Sequence, residues 1–421
     1  MSKTIVFKFG GASVKDAKSI ENLFNILFNR LRNRTLIVIS AMGKTTNGLE
    51  EILRLKLNGD LTSSNSAKIK DFHLGICREI FPPESMIFSI IENLFMQMDR
   101  DLDKPLTQEN YDAYYDQIVS YGELLSSRIL QEYLCFKGIF CIWQDAREII
   151  STNSNYRFVE VDWDKTKNLC LKHLGSKLEQ YPVVTQGFIG ADPKGKTTTL
   201  GREGSDFTAA ILAFCLNAQS VTIWKDVDGV RNADPKRFPD TVKFEELDYR
   251  EAAELAFYGA SVIHPKTIKP LANLSIPLYV KSFLSPEAVG TKICQVSEPM
   301  HIPCTVVKDN QILVSFRVTD FTFIAESHIH RVYEVLKKLK LKVNMLQVSA
   351  ISISIVIDME MFALDQLIST LQNDFSVKYN DALQLITVKN QNADLVEALL
   401  KGKEALLEQV TRSTFQFVHK P

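Results

Sequence analysis

Three segments combine residue types suited to holding phosphate or carboxylate. The first is Lys8-Phe9-Gly10-Gly11-Ala12-Ser13. Two glycines at a strand end let a backbone approach a ligand closely, and the first amides of a following helix point at anions. Lys8 stands beside the place where phosphates would lie, although two glycines also suit an ordinary tight turn. The second is Gly201-Arg202-Glu203-Gly204-Ser205-Asp206, ahead of a helix from Phe207. Arg202 has the planar fork that grips a carboxylate through two parallel hydrogen bonds. Ser205 or Asp206 would also serve as a helix cap, and the two uses are compatible. The third runs Lys225-Asp226-Val227-Asp228-Gly229-Val230, then Asn232-Ala233-Asp234-Pro235-Lys236. Ligands of α/β sheets bind at such strand ends, but composition alone favours a solvated turn.

Two single residues belong with these segments. Glu123 follows Tyr121-Gly122 inside a helical stretch; a glycine there is slightly costly and hints at close approach by another group. His264, before Pro265-Lys266, reads as a structural histidine. Gly190 to Thr197 spells G-x-x-x-x-G-K-T, but a phosphate loop of that type needs a helix directly after it. Thr197 to Gly201 is β-branched and then broken by glycine, so a connecting loop is expected instead.

The elements that must position these residues follow from periodicity. Thr4–Phe9 and Thr35–Ser40 read as buried strands. Between them Ile20, Leu23, Phe24, Leu27 and Leu31 share one helical face. Strand, helix, strand, helix is the opening of a parallel α/β sheet. The region from Gly59 to Gln117 is polar, mainly helical and hard to divide. A helix is expected over Ile118–Phe136, and another over Tyr249–Tyr258 with Gly259 as its C-terminal cap. Further strands are expected at Ile139–Trp143, Val183–Ile189, Val221–Trp224 and Ile276–Val280. Composition changes at Pro299–Pro303. Beyond it the pattern is strand (Ile312–Val318), helix (His328–Leu339), strand (Lys342–Asp358), helix (Met361–Phe375), strand (Leu383–Val388), then one helix and a final strand (Ser413–His419). Ile351, Ile353, Ile355 and Ile357 alternate with Ser352, Ser354 and Val356, the period of a strand.

The bulk properties set limits. A chain of 421 residues exceeds one ordinary core, so two or more domains are expected. A net charge of −1 gives no sign of a nucleic-acid partner or an acidic membrane surface. The 7 cysteines are scattered without a C-x-x-C pair, which suits reduced thiols in a cytoplasmic protein rather than a zinc site. The N-terminus enters a strand directly, with no signal-peptide pattern. No apolar run has the length of a membrane span.

Taken in order, several segments resemble the amino-acid kinase superfamily, and within it the aspartate kinases: KFGGASV (8–14), SAMGKTTN (40–47), SYGELLSSRI (120–129), TQGFIG (185–190), TTTLGREGSD (197–206), WKDVDGVRNADPK (224–236), EAAELAFYGASVIHPKTI (251–268) and PEAVGTKI (286–293). The ordered set is far more specific than any one member. The resemblance implies a three-layer α-β-α catalytic domain with a mainly parallel sheet over residues 1–298. A smaller α+β regulatory region similar to ACT domains would occupy 304–421, its second ACT unit shortened.

It implies transfer of the γ-phosphoryl group of ATP, with Mg²⁺ carried on the phosphates rather than by protein ligands, to the side-chain carboxylate of L-aspartate. Lys8 and Asp206 would be catalytic, Asp206 orienting Lys8. Ser40, Thr45, Glu123 and Arg202 would hold aspartate, Arg202 at its α-carboxylate and Glu123 at its ammonium. Lys8, Gly10, Gly11, Ser13, Lys225, Asp226, Arg231, Lys236 and Ser261 would surround the nucleotide. A homodimer through the ACT-like regions is implied as well.

Departures from the family pattern raise alternatives: another kinase of the superfamily acting on glutamate or acetylglutamate, or an amino-acid sensor that kept the fold. Glu203 stands where relatives often have glycine, and Ser261 where many have lysine. Asn344 and Ala350 replace the aspartate and glutamate of lysine-sensitive relatives, which leaves a cationic effector without its charge partners. Weak or absent inhibition by lysine is therefore expected.

Overall fold

The computed structural model describes residues 3–31, 34–201, 203–260, 262–298, 301–320, 322–359 and 361–421, the side chains of 361 and 362 apart. The chain forms two compact units. One comprises residues 1–230, 243–253 and 262–299; the other comprises 231–242, 254–261 and 300–421.

The first unit opens with β1 (Ile5–Phe9), α1 (Ala17–Phe28), β2 (Thr35–Ile39) and α2 (Thr45–Leu57). Asp16 starts α1, its Oδ1 accepting the Ser19 amide at 2.7 Å, a side-chain cap for an otherwise unsatisfied donor. β2 is buried at every residue, which is why it is a continuous apolar run. α3 (Ser63–Ile80), α4 (Ile87–Leu102) and α5 (Tyr111–Val119) fill the polar stretch, and α6 (Tyr121–Phe136) follows. The helix expected from Ile118 is thus two helices. Ile118 and Val119 close α5, and the Ser120 hydroxyl turns back to donate to the Gln117 carbonyl at 2.6 Å.

Next come β3 (Ile142–Gln144), α7 (Trp163–Gln180), β4 (Val183–Gln186), β5 (Ile189–Ala191), β6 (Thr197–Thr199), α8 (Gly204–Cys215), β7 (Ser220–Lys225), β8 (Glu246–Asp248), α9 (Tyr249–Tyr258), α10 (Pro265–Asn273), β9 (Leu278–Ser282) and β10 (Thr291–Cys294). The expected strand Val183–Ile189 bends between β4 and β5, where Phe188 has φ 68°. Gly259 ends α9 with φ 113°, as a C-terminal cap requires.

The main sheet has the order β3-β4-β2-β1-β7-β9-β10-β8, parallel throughout except at β9–β10. Side-chain alternation on β1 divides its residues between two layers. Phe7 and Phe9 join the core built with α1 and α6. Lys8 points to the opposite face, where α8 packs on β1. The Phe9 and Trp224 rings stack at 5.9 Å across β1 and β7.

The second unit contains β11 (Cys304–Val318), α11 (Glu326–Lys338), β12 (Val343–Val348), β13 (Ser352–Asp358), α12 (Met361–Leu371), β14 (Phe375–Lys389), α13 (Ala393–Leu400), β15 (Ala405–Val410) and β16 (Thr414–His419). Its sheet runs β12-β13-β11-β14-β16-β15, antiparallel at every pairing. Ile312, Val314 and Phe316 pack with Leu336, Leu364 and Leu367. Ile386, Val388, Phe415 and Phe417 form a second cluster with Leu399. The expected strand Lys342–Asp358 is a hairpin, because the Ser349 hydroxyl accepts the Ser352 amide at 3.1 Å and fixes a turn. β15 escaped the sequence reading because it is an edge strand with little burial, so it lacks the alternation that marks a strand.

Gly187 joins β4 to the turn that supports α8. A Cβ there would lie 2.4 Å from Ser205 Cβ and 2.8 Å from Ser205 Cα. Gly187→Ala therefore forces α8 outward and should cost about 1–3 kcal/mol, the range for overpacking a tight contact. Urea unfolding of the two proteins checks this; equal midpoints would contradict it.

Candidate functional site

The parallel register places Lys8 opposite Ile223, so Lys225, two residues further along β7, lies on the same face. Asp206, in the first turn of α8, reaches back to both. Lys8 Nζ is 2.6 Å from Asp206 Oδ1, and Lys225 Nζ is 3.1 Å from Oδ2. Asp206 is 2% exposed. Burial alone would favour its neutral form, but the two ammonium groups outweigh burial and hold the carboxyl below its ordinary range. Two cations share one anion, so the cluster carries a net positive charge at the end of the sheet. The N-terminus of α8, where Asp206 sits, favours negative charge further.

Around this cluster the backbone comes unusually close. A Cβ on Gly11 would meet the Ala41 carbonyl at 2.8 Å and that of Gly43 at 3.1 Å, so the loop after β2 lies directly on the loop after β1. The Gly43 amide donates to the Gly11 carbonyl at 3.1 Å. Here the structure departs from the expected helix N-terminus. Gly11–Val14 is a short 3-10 turn, and α1 begins only at Ala17 with the Asp16 carboxylate on its end, which disfavours a second anion there. Ser13 is buried in that turn and its hydroxyl has no partner among the described residues. Ser40 follows β2, its amide bonded to the Phe9 carbonyl at 3.1 Å. Thr45 is buried at the start of α2 and donates to the Met42 carbonyl at 2.7 Å.

Glu123 faces the same loop from the first turn of α6. Gly122 makes this possible: a Cβ there would sit 2.9 Å from Ala41 Cβ, the close approach its helical glycine foreshadowed. Glu123 is 3% exposed. The Ala41 amide donates to its Oε1 at 3.2 Å, while Oε2 has no hydrogen-bond partner among the described residues. Burial pushes its carboxyl up to about 8, against smaller opposing effects of the Ala41 amide and the Lys8 charge. A buried carboxyl with one free oxygen is a receptor for a cation.

Two further buried groups support this pocket and carried no motif. The His73 ring lies 3.5 Å from Thr45 Oγ1 and contacts the Ile69 carbonyl at 2.7 Å through Nδ1; burial lowers it to about 4, so it is neutral. Asp116, on α5, accepts the Thr199 amide at 2.9 Å, the Thr199 hydroxyl at 2.6 Å and the Arg157 amide at 3.0 Å. It thereby anchors β6 just before the 201–206 turn. Burial raises it to about 6 despite these bonds. No periodicity marks Asp116, which lies two residues from both Tyr114 and Ile118 and so off their helical face.

In the 201–206 turn, Ser205 and Asp206 lie inside α8. The cap position belongs to Glu203, whose φ of 55° is the left-handed conformation that glycine adopts most easily. Arg202 and Ser261 lie outside the described residues. Asp226 is exposed beyond Lys225. Arg231 and Lys236 belong to the segment 231–242 of the second unit, where the Arg231 guanidinium donates to the Thr241 carbonyl at 3.0 Å and the Lys236 amide to Asp234 at 2.9 Å. Gly190–Thr197 is the β5–β6 hairpin, so no helix follows it and the phosphate-loop match is fortuitous. His264 caps α10, accepting the Lys266 amide at 3.2 Å.

In the second unit, Asn344 is held from several sides. Lys308 donates to its Oδ1 at 2.8 Å, and its Nδ2 lies 2.8 Å from Gln311 and 2.9 Å from Asp358.

Residues 3–282 match the model of the amino acid kinase family. The chain is 32% identical to lysine-sensitive aspartokinase 3 of Escherichia coli over 85% of its own length and 79% of that protein's. It is 31% identical to a bifunctional aspartokinase/homoserine dehydrogenase of Arabidopsis thaliana, of which it spans 32%. Its fold superposes on the crystal structure of E. coli aspartokinase III in complex with aspartate and ADP, with a TM-score of 0.87, 27% identity, and 99% and 96% of the two chains covered.

Lys8→Met should remove one of two counter-charges from a buried carboxylate and cost about 3 kcal/mol, the scale for breaking a buried pair. Adding Asp206→Asn should recover part of that loss, because the buried charge is gone. A double variant less stable than Lys8→Met in denaturant unfolding would contradict the assignment.

Proposed function

Since the chain belongs to the amino acid kinase family and, within it, to the aspartokinases, we propose that it phosphorylates the side-chain carboxylate of L-aspartate with ATP at the Lys8–Asp206–Lys225 cluster. The product is L-4-aspartyl phosphate, an acyl phosphate that would enter lysine, threonine and methionine synthesis. The observation that carries this reading is Glu123: a buried carboxyl with one oxygen unpartnered among the described residues, close enough to Lys8 to feel its charge.

The substrate carboxylate has a reference pKa near ~3.9 and is already ionised at neutral pH. No general base is required. The barrier lies in bringing an anionic nucleophile onto an anionic phosphoryl group. Two unit charges about 4 Å apart repel by about 4 kcal/mol at an effective dielectric constant of ~20. Lys8 and Lys225 offset that repulsion, and Asp206 keeps both ammonium groups in place before substrate arrives. In-line placement of the reactants supplies the remainder.

Aspartate would be oriented by its other two charges. Glu123 takes the ammonium and Arg202 the α-carboxylate, with the Thr45 and Ser40 hydroxyls alongside. Gly10 and the 3-10 turn holding Gly11 and Ser13 would face the phosphates. Asp226 would lie on the nucleotide side, as the family resemblance also expects of Arg231, Lys236 and Ser261. Mg²⁺ would be held mainly by the phosphate oxygens of ATP. It would neutralise phosphate charge.

Residues 1–298 would then be catalytic and 304–421 regulatory, with the antiparallel sheet as a dimerisation surface between two copies. Asn344 supports weak or absent lysine inhibition: its amide is already engaged by Lys308, Gln311 and Asp358, and it brings no charge to a cationic effector. No helix among the described residues is long and apolar enough to cross a membrane, and a cytoplasmic location belongs to the same reading.

The test is trapping of the acyl phosphate. Protein, ATP, Mg²⁺ and hydroxylamine are mixed with aspartate, glutamate or N-acetylglutamate, and hydroxamate is measured. Aspartate-dependent hydroxamate that falls at least ~100-fold in Lys8→Ala is expected, about the weight of one preorganised electrostatic contact. Hydroxamate from another acid alone, or none from any, would overturn the proposal.

A further inference from the structure

Cys135 and Cys141 lie outside the machinery described above, and the chain folds them against each other. α6 ends at Phe136, and Gly138, at φ 87°, reverses the backbone. The Gly138 amide bonds to the Cys135 carbonyl at 3.0 Å and the Ile139 amide to the Leu134 carbonyl at 2.8 Å. These bonds bring residue 141 back alongside the last turns of the helix. Gln131 secures the return: its amide nitrogen donates to the Cys141 carbonyl at 3.4 Å and to Cys135 Sγ at 3.3 Å. The two sulfurs are 3.9 Å apart, and both thiols are free.

The two thiols differ in the way an exchange reaction needs. Cys135 is half-buried and reachable by a small molecule, whereas Cys141 is buried beneath it. Hydrogen bonding from the Cys141 thiol, with help from the Cys141 backbone and the Gln131 amide, lowers Cys135 to about 6 in spite of burial. Cys141 is raised by the same contact and by burial, so the proton stays on it. Thiolate is the attacking form in exchange. Among the other cysteines, Cys77, Cys170, Cys215 and Cys304 are buried and Cys294 has a raised pKa.

We propose that Cys135 and Cys141 form a reversible dithiol–disulfide site that takes low-molecular-weight disulfides as its oxidant. The Cys135 thiolate attacks one sulfur of R–S–S–R, breaking that bond and expelling RS⁻, to give a mixed disulfide on Cys135. The acceptor that held the Cys141 proton is then consumed, and that proton passes to solvent. The Cys141 thiolate attacks the Cys135 sulfur and expels the second RS⁻. Two protein thiols are oxidised by two electrons, and one small disulfide is reduced to two thiols. The bond would staple the C-terminal turn of α6 to the start of β3. Because Glu123 sits at the opposite end of α6, the staple acts on the resilience of that helix rather than on the chemistry.

The test uses the full chain and oxidised glutathione. Trypsin cleaves after Lys137 and so separates residues 129–137 from 138–147 unless a disulfide joins them. After oxidation, blocking of free thiols and digestion without reductant, mass spectrometry should find these two peptides joined as the main oxidised species, released by dithiothreitol. Cys141→Ser should stop at the glutathione adduct on Cys135, while Cys135→Ser should react at least tenfold more slowly at position 141. The proposal is overturned if the wild-type peptides stay separate, if the adduct on Cys135 persists in the wild type, or if Cys294 reacts as fast as Cys135.

Discussion

A carboxylate taken out of water must find a counter-charge or give up its own charge, and the catalytic unit is arranged around two carboxylates that meet this constraint differently. Asp206 meets it within the chain. Two ammonium groups within 3.1 Å keep it ionised although it is almost wholly buried. Glu123 does not. Among the described residues it has a backbone donor on one oxygen and no partner on the other, and burial pushes it towards the neutral form. The first arrangement is complete before any ligand arrives. The second becomes complete only when a cation enters, which makes it selective for one.

Much of the surrounding structure serves to keep these two groups at the same end of the sheet. Parallel pairing of β1 with β7 sets Lys8 and Lys225 on one face, and α8 carries Asp206 to them. Gly11, Gly122 and Gly187 sit where loops and helices meet at distances that a Cβ would block. Asp116 fixes β6 to α5, so the turn containing Glu203 and Gly204 starts from a defined point. The cost of this closeness is visible at Glu203, a non-glycine residue in left-handed backbone.

What was legible in the residues follows the strength of local signals. Lys8 and Asp206 stand in glycine-containing segments whose order along the chain is distinctive, and Gly122 marked the approach of Ala41. The parallel sheet was readable because buried strands such as Thr35–Ile39 are unbroken apolar runs. Partnerships set by tertiary contact were not readable. His73 and Asp116 are single polar residues in ordinary helices, and nothing local says that Thr45 or Thr199 will meet them. The break at Ser120, whose hydroxyl donates to the Gln117 carbonyl, falls inside a continuous helical pattern. The hairpin inside Lys342–Asp358 was hidden because serine at 349 and 352 fits both a strand and a turn. Arg202 could be named from its motif alone.

The most direct test of the central claim is proton release on aspartate binding. With Glu123 near 8 in the empty protein, most of it is protonated at pH 7. Pairing with an ammonium group favours its charged form, so the proton must leave. Calorimetric titration of aspartate at pH 7, in buffers of different ionisation enthalpy, should show close to one proton released per aspartate bound. The release should vanish above about pH 9 and in Glu123→Gln. Binding of aspartate to the wild type with no proton released at pH 7 would contradict the account, because Glu123 would then not be the group that receives the substrate's charge.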